Sequence, residues 1–177
     1  MISQLKQARR FNETVLLLVF SVLCFVLSII RVFASATPTF LFLNWNLFLA
    51  FVPWALSSTL IVFPYLQQKK LAVISLVGTW LLFFPNAPYI LTDLFYLRLT
   101  SGMPMWFDLL LILSFAWVGL LFGFMSLWDI EKILKRYLIT SRLHKVLDFR
   151  WAISLFSSLL LFIGSFGIYL GRYLRWN

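Results

Sequence analysis

Five long apolar runs, at about residues 14–33, 45–65, 71–90, 107–128 and 151–170, are separated by short polar and mostly basic connections. Each has the roughly 20 residues that a helix rising about 1.5 Å per residue needs to cross a hydrocarbon core about 30 Å thick. Backbone N–H and C=O groups cannot be left bare in lipid, and the period-2 alternation of a barrel is missing. The pattern therefore predicts an all-α polytopic transmembrane bundle of about five spans, forming a single integral membrane domain over residues 1–177. No soluble domain, internal repeat or low-complexity linker interrupts it.

The longest polar connection, Asp129 to Arg150, has its own periodicity. Ile130, Ile133, Leu134, Tyr137 and Leu138 recur at helical spacing, Leu143, Val146 and Leu147 follow, and bases fill the positions between them. This predicts an amphipathic cytoplasmic helix between the fourth and fifth spans, lying on the inner leaflet with its lysines towards headgroups. It is read as an anchor for the two spans, with lipid sensing as the alternative. Pro53, inside the second span, is expected to bend it.

Composition agrees with lipid as part of the solvent: 62% of residues are hydrophobic, 19% aromatic and 12% charged, with a mean hydropathy of +0.94. A net charge of +9 would fit nucleic acid only if the bases shared a soluble face, and they are scattered between apolar runs. Topology accounts for them better. With the N-terminus inside, eleven bases face the cytoplasm, namely Lys6, Arg9, Arg10, Lys69, Lys70, Lys132, Lys135, Arg136, Arg142, Lys145 and Arg150. Only Arg31, Arg98, Arg172 and Arg175 fall outside, the asymmetry expected when basic loops resist translocation. A plasma-membrane protein with a cytoplasmic N-terminus is the expectation. A rival reading takes Lys6 to Arg10, the first apolar run and Ala34-Ser35-Ala36 as a cleaved leader. The run is long for such a core and Arg31 interrupts it, so the first span is expected to be retained. A single cysteine, Cys24, excludes an intramolecular disulfide, and a single histidine, His144, excludes a multi-histidine metal centre within one chain. Neither a metal nor another cofactor is expected, and His144 reads as solvated.

Gly119 with Gly123, and Gly167 with Gly171, place small residues one helical turn apart. In lipid this spacing lets backbones approach closely, whether between spans or between subunits of a homo- or hetero-oligomer. The segment Phe84-Pro85-Asn86-Ala87-Pro88-Tyr89 breaks the third span near its outer end, and Asn86 brings a donor and an acceptor to the break. This is either a simple helix terminus or backbone lining a site. Once topology is set, Arg31, Asn44, Asn46, Asn86, Tyr89, Asp93, Asp108, Arg172 and Arg175 all fall near the outer interface. Asp93 and Asp108 are expected to face Arg31, Arg172 or Arg175, forming a charged outer pocket, unless each charge reaches water separately.

The run from Phe84 to Leu94, with Trp106, Asp108-Leu109-Leu110 and the ending Gly171-Arg172-Tyr173-Leu174-Arg175-Trp176-Asn177, resembles a family of bacterial membrane proteins of unknown function. The family is catalogued as domain of unknown function thirteen sixty-one. The resemblance covers nearly the whole chain and implies the same polar outer cluster, without implying a reaction. Relatives often carry histidine where this chain has Tyr96 and tyrosine where it has Phe107, and they tend to continue into a further apolar span. Three functions remain open: binding or transport of a small polar or anionic solute or lipid headgroup at the outer cluster, a structural or accessory subunit, or an enzyme using Asp93 and Asp108. Membrane lipids are the expected partners in each. No nucleophile-plus-base pattern or nucleotide-binding loop supports the enzyme.

Overall fold

The computed structural model describes residues 10–99, 103–140 and 149–172. Among these residues six α-helices follow in order: α1 Phe11–Ser35, α2 Phe42–Val62, α3 Lys70–Phe83, α4 Asn86–Tyr89, α5 Met105–Thr140 and α6 Phe149–Arg172. 3-10 segments occupy Pro64–Gln68 and Ile90–Leu99, and no strand occurs among the described residues. Among the described residues four helical stretches, Phe11–Ser35, Phe42–Val62, Lys70–Leu97 and Met105–Arg136, are long and apolar enough to cross a membrane, and α6 carries the shorter apolar stretch Leu155–Phe166. The all-α transmembrane bundle is the observed fold. Its outer surface is apolar, with Leu18, Leu71 and Phe162 all more than half exposed, which is stable only in lipid.

Local chemistry sets the element ends. α1 stops where Ala36 enters the left-handed region at φ 53°, which reverses the chain towards α2. Pro53 is buried within α2, which continues through it to Val62. Pro64 then opens a 3-10 turn, where its missing N–H is no loss. α3 ends at Phe83 because Pro85 and Pro88 cannot donate to the preceding turn. The chain goes on as the one-turn α4 and the 3-10 segment, so the third crossing is a broken helix. Residues 129–140 do not form a separate helix: they are the last turns of α5, with Ile130 and Ile133 buried against α3 and α6. The rest of the expected amphipathic stretch, Ser141 to Asp148, lies outside the described residues.

α5 is the central helix, packed by α1, α2, α4, α6 and the 3-10 segment at Ile90–Leu99. Its contact with α1 follows a seven-residue rule. On α1, Arg10 at its mouth, Leu17, Cys24 and Arg31 are buried; on α5, Asp108, Phe115, Phe122 and Asp129 are buried. Read in opposite directions, the two ladders pair Arg10 with Asp129 and Arg31 with Asp108. Leu17, Cys24, Phe115 and Phe122 fill one apolar core between them. Seven-residue spacing keeps one face of each helix on its neighbour when the two cross at a shallow angle. Each pair of like charges is 21 residues apart, about 31 Å along a helix. That matches a hydrocarbon core of about 30 Å, so the spacing of the two ion pairs fits the two faces of such a slab.

Candidate functional site

At the end of the bundle that holds Arg31, the polar residues form two buried pairings. Arg31 is 1% exposed and Asp108 is fully buried; the Arg31 Nε donates to Asp108 Oδ1 at 3.1 Å. The same guanidinium donates through Nη1 to Ser35 Oγ at 2.5 Å and to Thr37 Oγ1, and lies 5.1 Å from the centre of the Phe40 ring. Arg31 thus ties the end of α1, the loop after it and the start of α5 together. The second pairing joins α2 to the broken segment: Asn46 Nδ2 donates to Asp93 Oδ2 at 2.7 Å, with Asp93 fully buried. Beside them Asn44 Nδ2 donates to Ser28 Oγ at 2.9 Å and to the Leu41 carbonyl at 3.1 Å. Asn46→Ala removes a donor from a buried carboxylate and is expected to cost about 1.5–3 kcal/mol. Reversible unfolding of the purified chain in lipid-detergent micelles would measure it.

Not every hydrogen-bonding atom at this end has a partner. Arg31 Nη2, Asp108 Oδ2 and Asn44 Oδ1 are buried with none among the described residues. One strong donor and two acceptors at this end of the bundle are therefore unmet among the described residues, in a setting where leaving them bare is expensive.

The proline break itself is largely healed. Asn86 Nδ2 donates to the Phe83 carbonyl at 3.0 Å, and the Ala87 N–H donates to the Phe84 carbonyl at 3.1 Å. Asn86 therefore caps the interrupted helix. Tyr89 sits half-buried one turn further on, where its carbonyl accepts from Thr92 Oγ1 at 2.7 Å. The glycines explain why the segment is tight. A Cβ added at Gly119 would lie 2.7 Å from Ile90 Cγ2, and one added at Gly123 would lie 2.8 Å from Ala87 Cβ. This glycine pair is therefore filled from within the chain by α4 and the residue after it. Arg172 closes α6, but its side chain, the surroundings of Gly167 and Gly171, and Arg175 and His144 lie outside the described residues.

A second polar cluster, at the opposite end, does not follow from the sequence reading. Arg10 is 3% exposed, and so is Asp129. Arg10 Nη1 donates to Asp129 Oδ2, and Ser57 Oγ donates to the same oxygen at 3.1 Å. Lys132 Nζ lies 3.9 Å from Asp129 Oδ1, and Glu13 Oε2 lies 3.7 Å from Arg10 Nε. Arg10 also stands 5.5 Å from the centre of the Trp54 ring. Counted as one of many topological bases, Arg10 carries no local mark of burial. The detectable signal is relational: arginines 21 residues apart on one run and aspartates 21 apart on another.

A family model described as protein of unknown function (DUF1361) matches residues 45–177. No curated protein and no solved structure matches the chain.

Proposed function

The chain belongs to the DUF1361 family, and from that premise we propose that it is a membrane protein binding a small polar or anionic molecule at the Arg31 end. The occupant is either a solute or a lipid headgroup. The carrying observation is the unmet set of Arg31 Nη2, Asp108 Oδ2 and Asn44 Oδ1, all buried with no partner among the described residues. An anionic group that also carries a donor answers both kinds of vacancy, and buried ionisable groups within a membrane bundle are costly without such a use. The basic asymmetry of the connections supports a cytoplasmic N-terminus, which puts this site on the outer side. Cleavage after Ala36 would remove both arginines, leaving Asp108 buried without its ion-pair partner and Asp129 with Lys132 in place of Arg10, which supports retention of α1.

The accessory-subunit reading is weaker, because Gly119 and Gly123 are occupied by Ala87 and Ile90 of the same chain. An enzyme using Asp93 and Asp108 is weaker too, since the two carboxylates serve different partners, Asn46 and Arg31.

Thermal unfolding of the purified chain against inorganic phosphate, glycerol phosphate, ethanolamine phosphate and short-chain dicarboxylates tests the proposal. At least one compound is expected to raise the melting temperature of the wild-type protein, with the response lost in Arg31→Gln and weakened in Asn44→Ala. Stabilisation of equal size in both variants, or by none of the compounds, would overturn it.

A further inference from the structure

The opposite end of the bundle has a different imbalance, and next to it lies an apolar groove. α1 and α2 each pack on α5 and scarcely on each other. Between them is a cavity of about 290 Å³, walled by Leu18, Ser21 and Phe25 of α1 and by Phe48, Phe51 and Trp54 of α2. Leu18, Phe25 and Phe48 are also exposed on the outer surface, so the groove opens sideways towards lipid. Thr14 and Phe25 bound it along α1, a length of 11 residues, or about 17 Å. That is close to half of a hydrocarbon core about 30 Å thick.

The polar inventory where the groove ends at Trp54 and Thr14 is short of acceptors. Arg10 Nη2 and Trp54 Nε1 are buried and have no acceptor among the described residues. The guanidinium stands 5.5 Å from the Trp54 ring, so the two vacant donors belong to neighbouring groups. The local carboxylate is already in use: Asp129 takes Arg10, Ser57 and Lys132, and Glu13 lies beside Arg10 Nε. The buried carboxylate oxygen that lacks a hydrogen-bond partner among the described residues, Asp108 Oδ2, is at the other end. A phosphodiester offers acceptors and no donors, which is the complement of what is missing here.

We propose that the groove holds one acyl chain of a membrane phospholipid, whose phosphate accepts from Arg10 Nη2 and Trp54 Nε1. The lipid reaches its place laterally from the leaflet at the Arg10 end. This site is independent of the one at Arg31, and each can fail without the other.

Thermal unfolding of the full chain in detergent, titrated with phosphatidylglycerol, diacylglycerol and glycerol phosphate, tests it. Phosphatidylglycerol is expected to raise the melting temperature saturably, diacylglycerol and glycerol phosphate to do so far less. Trp54→Phe keeps the ring and removes the N–H, and is expected to weaken the lipid response about tenfold. Ser21→Phe fills the groove and is expected to abolish it. The proposal is overturned by any of four results. These are a diacylglycerol response equal to that of the phospholipid, an equal response to glycerol phosphate, a wild-type response in both groove variants, or conversion of a dimer to a monomer by Ser21→Phe, identifying a second copy as the occupant.

Discussion

Arg31→Met is expected to lower the stability of the bundle by about 3–5 kcal/mol, the usual cost of breaking a buried ion pair from one side. The loss comes chiefly from Asp108, which is fully buried and is left without the guanidinium that now faces it at 3.1 Å. Ser35 and Thr37 lose their shared donor as well. The double variant Arg31→Met with Asp108→Leu removes both charges and is expected to recover most of the loss, because an apolar replacement of a buried pair is often close to neutral. Unfolding of the three proteins in the same lipid-detergent mixture measures the coupling. If the single variant were as stable as the wild type, the ion pair would have no part in holding α1 to α5.

Gly123→Leu is expected to cost about 3 kcal/mol by overpacking, well above the roughly 1 kcal/mol gained by removing a glycine from a helix. The reason is the rigidity of its neighbour. A Cβ at position 123 meets Ala87 Cβ at 2.8 Å, and a Cβ cannot rotate away as the end of a long side chain can. The backbone of α4 must move, and with it the 3-10 segment that carries Asp93. Gly123→Ala is the milder version, and Ala87→Gly in the same chain is expected to restore its stability by moving the methyl across the interface. Gly119 faces the Cγ2 of Ile90, so Gly119→Ala is expected to be relieved by Ile90→Ala. Indifference of the bundle to Gly123→Leu would mean that α4 does not pack on α5 as described.

These two contacts show what the sequence carried and what it hid. Hydropathy alone marks the crossings, because the free energy of burying about 20 apolar residues in lipid overwhelms local detail. Residues 71–90 read as a span broken near its outer end, and the helix does stop at Phe83 and resume as a single turn and a 3-10 segment. The prolines were visible, but not the fact that Gly119 and Gly123 leave room for the resumed backbone. Asp108 was expected to face one of three arginines, and Arg31 is the one described with it; Asp93 was expected beside an arginine, and Asn46 is one donor described with it. Choosing among partners depends on helix rotation, which no single run encodes. The Arg10–Asp129 pair escaped because a base before a first span already has a reason to be there, so its burial adds no surprise to the sequence. Only the matching 21-residue separations on two helices expose it, and they acquire meaning once α1 and α5 are known to be neighbours running in opposite directions.

Both ion pairs, and both proposed sites, presuppose that the Arg10 and Arg31 ends lie on opposite sides of one membrane. Single cysteines test this in a chain with Cys24→Ser: Thr39→Cys in the loop after α1, and Gln68→Cys in the turn before α3, both exposed positions. In intact bacterial cells expressing the protein, a membrane-impermeant thiol reagent is expected to label position 39, and to reach position 68 only after permeabilisation. Labelling of both positions from the same side would contradict the bundle as a membrane-crossing structure pinned at its two faces.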